Sequence, residues 1–251
     1  MGLHYHVAGV PSICVNNGDN TYSWQPLTGA SAAQQAAIAR VDPGLASTRD
    51  AGYGFGWTSA GIPHSRRDMI NLFDITGSAP GADVDNTTAL LAAITKAQGY
   101  GGGTILIPTD IGISAQVIVP QGVNIWGAGA GKGTDIATTI KCLAVAAQLQ
   151  FGSFATAARG GVSGNFEVNG NNLAPTPLAA VKATSRTFQQ IDVHNAASGG
   201  LGAFWVYHTN NAVFSEISTS DNHGSGFVFD TSANGNIVVG LNSRGNGITD
   251  A

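Results

Sequence analysis

The stretch that decides the fold is residues 191–241, which read IDVHNAASGGLGAFWVYHTNNAVFSEISTSDNHGSGFVFDTSANGNIVVGL. Ile191, Ile217 and Leu241 can be set in register within it, and Phe166 extends the series towards the N-terminus, with separations of 25, 26 and 24 residues. Each period holds two short apolar runs and two turns rich in Gly and Asn. Periods of this length with β patterning are typical of a solenoid. Leucine-rich repeats have similar lengths, but their Leu-rich frame is absent.

The last two periods align closely if a two-residue insertion is allowed near Ser198-Gly199. In this alignment Gly202 matches Gly226, Phe204 matches Val228, Asn210-Asn211 matches Asn234-Gly235, and Phe214 matches Val238. Each turn of the solenoid is therefore expected to contain a strand, a Gly/Asn turn, a second strand and an Asn-containing turn.

The composition indicates a compact, turn-rich β protein. The chain has 251 residues, and 35 Gly residues combined with 43% hydrophobic but only 10% charged residues suit many short strands. The formal net charge is −4 and the basic residues are scattered, so no electrostatic footprint for nucleic acid is visible. Cys14 and Cys142 lie far apart in the sequence and are interpreted as free thiols. The N-terminus lacks a signal peptide pattern, and no apolar run reaches transmembrane length.

Residues 1–70 are predicted to form a small mixed domain. Short strands are expected at Ser12–Val15 and Tyr22–Trp24, and an Ala/Gln-rich helix at Ser31–Val41. The alternation of Gly with aromatic residues over Gly52–Trp57 predicts a packed linker or an adaptable contact surface.

The sequence changes character after Asn71. Leu72–Ile75 is a candidate strand, and Gly81–Asn86 supplies turn chemistry and an N-cap for a helix over about residues 86–98. Leu90, Leu91, Ile94 and Ala97 give that helix one apolar stripe. Short apolar strands are predicted after it, at 104–107, 117–119 and 123–127.

This order of elements resembles the opening of the pectate-lyase-superfamily β-helix domain, which occurs in polysaccharide-degrading enzymes and phage tailspikes. The matching text is Gly81–Thr87, Gly101–Pro108 and Val123–Gly129. The resemblance implies an all-β fold: a right-handed parallel β-helix over residues 71–251, with its clearest repeats at 160–251 and an N-terminal capping helix. It does not decide activity, because the same opening precedes catalytic and adhesive helices.

The resemblance also implies a biological setting. It suggests a homotrimer in the virion, attached to other phage tail proteins through residues 1–70 and projecting towards bacterial surface polysaccharide. A surface-active β-helix without an export signal fits assembly in the cytoplasm of an infected cell and release by lysis. The sequence stops part-way through a turn after Asn242–Gly247, which suggests a truncated product, a trimer that covers the end, or a partner chain.

The register predicts two rows of outward-facing side chains, because matched positions on successive turns stack about 4.8 Å apart. One row is Glu167, Asp192, Ser218 and Asn242, and the next is Asn169, His194, Ser220 and Arg244. Stacked Glu167 and Asp192, with His194 beside them, suit an acid and base pair for glycoside cleavage or a cation site in a lyase. The simpler interpretation is that all three are solvated side chains on the outer face of a sheet.

Two other sets of residues are candidates for binding. Trp205 and Tyr207 alternate with Phe204 and Val206, so one pair faces outwards, where aromatic rings stack on sugars or pack between protomers. His4 and His6 share one side of a strand, and three copies around a symmetry axis could bind a metal octahedrally. An exposed terminal His pair is usually incidental, so no cofactor is expected.

Three hypotheses follow from these patterns. The first is a structural and adhesive tail component that needs no catalytic residue. The second is a polysaccharide lyase or glycosidase that uses Glu167, Asp192 and His194. The third is a secreted bacterial carbohydrate enzyme, which the missing signal peptide pattern disfavours. A cleft lined by acids would favour the enzyme, and a flat outer sheet would favour adhesion.

Overall fold

The structure, a computed structural model, divides into two compact units, Met1–Arg66 and Arg67–Ala251. It describes residues 69–130 and 138–247, together with three strands of the first unit. These strands are β1 (Leu3–Tyr5), β2 (Pro11–Asn16) and β3 (Tyr22–Pro26), which pair antiparallel in the order β1-β2-β3. The predicted strands near residues 12–15 and 22–24 are confirmed. The predicted helix over 31–41 and the loop over 52–57 lie outside the described residues.

The second unit contains one described α-helix and sixteen strands. They are, in chain order, β4 (Met69–Asn71), β5 (Gly81–Asp85), α1 (Thr87–Gly99), β6 (Gly103–Ile107), β7 (Ile111–Ile113), β8 (Gln116–Val119), β9 (Val123–Gly127), β10 (Thr139–Cys142), β11 (Gln148–Phe151), β12 (Val162–Asn169), β13 (Leu178–Val181), β14 (Thr187–His194), β15 (Phe204–Tyr207), β16 (Val213–Ser220), β17 (Phe227–Phe229), β18 (Ile237–Val239) and β19 (Asn242–Arg244). All pairings among these strands are parallel.

The strands form an eleven-stranded and a five-stranded parallel sheet, which wind into a solenoid of about six turns. The eleven-stranded sheet bends at a corner into two faces, here called sheets 1 and 2, and the five-stranded sheet is sheet 3. Sheet 1 contains β4, β6, β9, the first halves of β12, β14 and β16, and β18. Sheet 2 contains β5, β7, β10, the second halves of the same three strands, and β19. Sheet 3 contains β8, β11, β13, β15 and β17. The predicted parallel β-helix is confirmed.

The corner between sheets 1 and 2 is a single residue in each central turn. Asn165, Gln190 and Glu216 have φ angles of 60°, 51° and 54°, and the strand registers skip them. A residue in the left-handed region turns the chain without ending the hydrogen-bonded ladder. Gly240, with φ of 71°, occupies the same position in the next turn.

The core is a continuous stack of inward-facing apolar side chains. Phe166 pairs with Ile191 and Ile191 pairs with Ile217, as the sequence predicted, and all three are buried. Aromatic rings continue the stack, and the ring centroids of Phe188 and Phe214 lie 5.2 Å apart. Because each ring fills the space above its neighbour, the turns bury each other's apolar surface.

The helix α1 takes the place of a sheet 3 strand in the first turn, between β5 and β6. Its residues Leu90 and Ile94 lie in the hydrophobic core, so the predicted cap is confirmed. Asn86 stands at the N-cap position but its side chain does not cap the helix, since it bonds Ala79 and Val84 instead. Asp85 Oδ1 accepts the Thr87 N–H in its place. No helix among the described residues is long and apolar enough to span a membrane.

Two predictions of detail were wrong. Residues Leu72–Asp74 form a 3₁₀ helix and not a strand, because Asn71 Oδ1 accepts the N–H of Phe73 and turns the chain. Phe204 pairs with Phe227, and Val228 pairs with Trp205. A shift of one residue exchanges the faces of a strand, and this register keeps Phe227 in contact with the Phe204 ring, at 5.2 Å between centroids.

Candidate functional site

The two predicted rows of residues run along the outer face of sheet 2. Glu167 pairs with Asp192, Asp192 with Ser218, and Ser218 with Asn242. The second row pairs Asn169, His194, Ser220 and Arg244 in the same way. The register that the sequence predicted for the candidate acids is therefore confirmed.

Glu167, Asp192 and His194, here called the acid–histidine cluster, are not solvated. Their exposed fractions are 6%, 6% and 2%, so the simpler interpretation of solvated side chains was wrong. The Nε2 atom of His194 lies 2.7 Å from Oε1 of Glu167, one turn away along the solenoid. Facing outwards does not ensure exposure, because side chains on adjacent strands lie about 4.8 Å apart and shield one another.

The contact between Glu167 and His194 has a chemical consequence. If Nε2 donates its proton to the carboxylate, neutral His194 keeps its lone pair on Nδ1, and that atom has no hydrogen-bond partner among the described residues. Such an arrangement could move a proton. Proton transfer to a substrate also needs access, however, and all three side chains of the cluster are almost fully buried.

A second candidate site lies on the outer face of sheet 3. Phe204 and Val206 point into the core, so Trp205 and Tyr207 are the outward pair. Trp205 is only 6% exposed, and its indole Nε1 donates to Asp230 Oδ2 at 3.0 Å. The Trp205 ring is therefore not an open surface on which a sugar could stack, whereas Tyr207 stays partly exposed.

Phe154 is the exposed ring of this face. It is 60% exposed, and its centroid lies 5.2 Å from that of Tyr207 and 6.2 Å from that of Trp205. We call Phe154, Trp205, Tyr207 and His208 the aromatic cluster; the His208 ring lies 4.3 Å from Tyr207. Sequence reasoning missed Phe154, because it lies in a loop outside the repeat and has no counterpart on neighbouring turns.

Asp230 supplies the negative charge at the edge of the aromatic cluster. The backbone N–H of Thr231, the Trp205 indole and the Thr231 hydroxyl all donate to its carboxylate, and they lower its pKa below the ordinary value of 3.8. Asp230 is therefore ionised at neutral pH and acts only as a hydrogen-bond acceptor.

Arg186 is a buried charged residue that the sequence did not single out. It is fully buried, and its Nη2 donates to the Val123 carbonyl, to Asn124 Oδ1 and to Ser163 Oγ. Its guanidinium carbon lies 4.8 Å from the centre of the Phe151 ring. Burial lowers its pKa to about 10, so it remains charged and ties three turns together.

The remaining candidates concern metal binding. His4 lies in β1, but its side chain and all of His6 lie outside the described residues, so the metal prediction stays a prediction. Among the residues that the structure describes, no group of three or more His, Cys, Asp or Glu could hold a metal ion.

Comparison with known proteins identifies the fold. No protein-family model and no curated protein matches the sequence. ORF18 of Geobacillus virus E2 matches 92% of this chain at a TM-score of 0.55 and 15% identity, and the A-module of the Azotobacter vinelandii mannuronan C-5 epimerase AlgE4 matches 72% at 0.51 and 20%. The fold is the parallel β-helix. The chain spans 48% and 58% of these two solved structures, and at these identities the likeness shows the fold alone.

Proposed function

We propose that this chain is a phage tail protein whose β-helix binds polysaccharide on the bacterial surface without cleaving it. Residues 1–70 attach to other tail proteins, and the β-helix projects outwards as a homotrimer in the virion. Two observations support the proposal. They are the extent of the structural matches and the burial of the acidic residues that polysaccharide cleavage would need.

The observation that carries the proposal is the share of the chain that matches the viral protein. The viral protein matches 92% of this chain. The epimerase module matches 72%, which the β-helix unit alone can supply. The match to the viral protein therefore covers a larger share of this chain than the match to the enzyme module does.

Burial favours adhesion over cleavage. Glu167 and Asp192 are each 6% exposed, whereas Phe154 is 60% exposed and offers an open aromatic ring. A glycan can rest against an exposed ring, but it cannot reach a buried carboxylate without displacing its neighbours.

The test is incubation of the purified protein with a panel of capsular polysaccharides and lipopolysaccharide O-chains. Binding is followed by calorimetry, new reducing ends by a colorimetric assay, and unsaturated sugars by ultraviolet absorbance. The protein is expected to bind at least one polysaccharide and to produce neither new reducing ends nor unsaturated sugars. A protein that binds none of the panel would contradict the proposed function.

The second candidate function is a polysaccharide-cleaving enzyme, lyase or glycosidase. The 2.7 Å contact between His194 and Glu167, with Asp192 on the adjacent strand, favours it because it places acid and base groups together. New reducing ends that disappear in Asp192→Asn but persist in Glu216→Gln, an exposed carboxylate on the next turn, would establish this function. Ultraviolet absorbance from unsaturated sugars in the same reaction would identify the enzyme as a lyase.

A further inference from the structure

We infer that Phe154 is the ring on which the polysaccharide stacks, with Tyr207, Lys182 and Asp230 completing a subsite for one pyranose ring. This inference rests on the proposed function and specifies where the glycan is held. Trp205 supports the subsite from below and does not contact the sugar.

The backbone of the turn that carries Phe154 is tied by hydrogen bonds, although the ring itself is exposed. It lies in a tight turn in which Ser153 N–H donates to the Thr156 carbonyl at 2.8 Å and Thr156 N–H donates to Ser153 Oγ at 2.9 Å. Lys182 Nζ also donates to the carbonyl of Phe154. Because the turn is fixed before a ligand arrives, little conformational entropy is lost when a sugar binds the ring.

The turn is anchored to sheet 3 at both ends. The N–H of Gly152 donates to the Val119 carbonyl at 2.9 Å, and the N–H of Ala158 donates to the Lys182 carbonyl at 3.2 Å. The Phe154 side chain crosses the outer face of the sheet and contacts Tyr207 edge to face, with an angle of 60° between the rings. One apolar surface of the Phe154 ring therefore remains open to solvent, and the groups beside it are partly exposed.

The groups around Phe154 suit the hydroxyl groups of a sugar. Lys182 keeps two N–H donors after it bonds the Phe154 carbonyl, Asp230 carries an ionised carboxylate, and the Tyr207 hydroxyl can donate and accept. A pyranose has an apolar face of C–H groups and a rim of hydroxyls, so it needs one aromatic surface and several polar partners. The two kinds of group occur together here.

The alternative occupant, a second protein surface, fits this face less well. A stable protein interface buries about 800 Å² on each partner, whereas one Phe side chain contributes about 200 Å². The apolar side chains around Trp205 on this face are already covered, since Ala179 and Val181 are buried and Val228 is partly buried. A protein partner would therefore gain little further apolar area beside Phe154.

The experiment measures binding of full-length protein to the tightest-binding capsular polysaccharide or O-chain of the panel. Phe154→Ala is expected to weaken binding at least about tenfold, Phe154→Leu nearly as much, and Phe154→Trp little or not at all. The control is Leu201→Ala, which removes an apolar side chain of similar exposure, 56%, at the opposite end of β15. Thermal unfolding of each variant shows that the fold is intact.

The possible outcomes distinguish a failure of the proposed subsite from a failure of the proposed function. If the wild-type protein binds but Phe154→Ala binds equally well, the subsite lies elsewhere and the adhesive function stands. If Phe154→Leu binds like wild type, the contact is not aromatic stacking and the inference is overturned. If the wild-type protein binds no polysaccharide of the panel, the proposed function and the inference fail together.

Discussion

Breaking the buried hydrogen bond between Glu167 and His194 is expected to destabilise the β-helix. The side chains are 8% and 3% exposed, and the atoms Oε1 and Nε2 lie 2.7 Å apart. Removing one member of a buried pair leaves the other uncompensated, which costs about 3 kcal/mol. Glu167→Ala should therefore lower the free energy of unfolding by about 3 kcal/mol. Glu167→Gln should cost about 1 kcal/mol, since its amide oxygen still accepts from Nε2.

The assay is urea denaturation of the two single variants, Glu167→Ala and His194→Ala, and of the double variant. The double-mutant cycle should yield a coupling free energy of about 2 kcal/mol, the range for a hydrogen bond to a charged group. Glu216→Gln is the matched control and should change stability by less than about 0.5 kcal/mol because Glu216 is exposed. A coupling below about 0.5 kcal/mol would refute the reasoning, since the pair would then contribute no more than a surface ion pair.

Three further predictions concern the β-helix. Phe188→Ala should cost about 4 kcal/mol in urea denaturation, because this buried ring stacks on Phe214; a cost below about 1 kcal/mol would contradict the packing. Burial raises the pKa of the Cys142 thiol to about 12, so peptide mapping after iodoacetamide treatment at pH 8 should find it modified only in denatured protein. Gly152→Ala should lower the melting temperature, because its φ is +74° and the added Cβ would collide with the Val181 carbonyl; an unchanged melting temperature would show that the loop can shift.

Much of the β-helix can be predicted from the sequence because the residues that face inwards recur with the period of the solenoid. Phe166, Ile191 and Ile217 recur at nearly constant spacing, and one strand can stack on the next only if they share a register. The register of Glu167 over Asp192 follows from the same spacing. The alignment failed at Phe204, where neighbouring aromatic and aliphatic residues made two registers look equivalent.

The candidate sites were only partly predictable. Trp205 and Tyr207 could be assigned to one face by alternation. How far each ring is covered depends on the loop that carries Phe154, which is distant in sequence. Phe154 lies outside the repeat, so no periodic signal points to it.

The sequence by itself determined the solenoid, its period and the pairing of β12, β14 and β16, because these depend on local alternation and on spacing between turns. Only the tertiary structure decided that the acid–histidine cluster is buried, that Arg186 lies inside the solenoid, and that Phe154 covers Trp205. The physical reason is that direction along a strand is a local property, whereas burial depends on what other parts of the chain place above a side chain. The period of the sequence carries no information about which side chains other parts of the chain will bury.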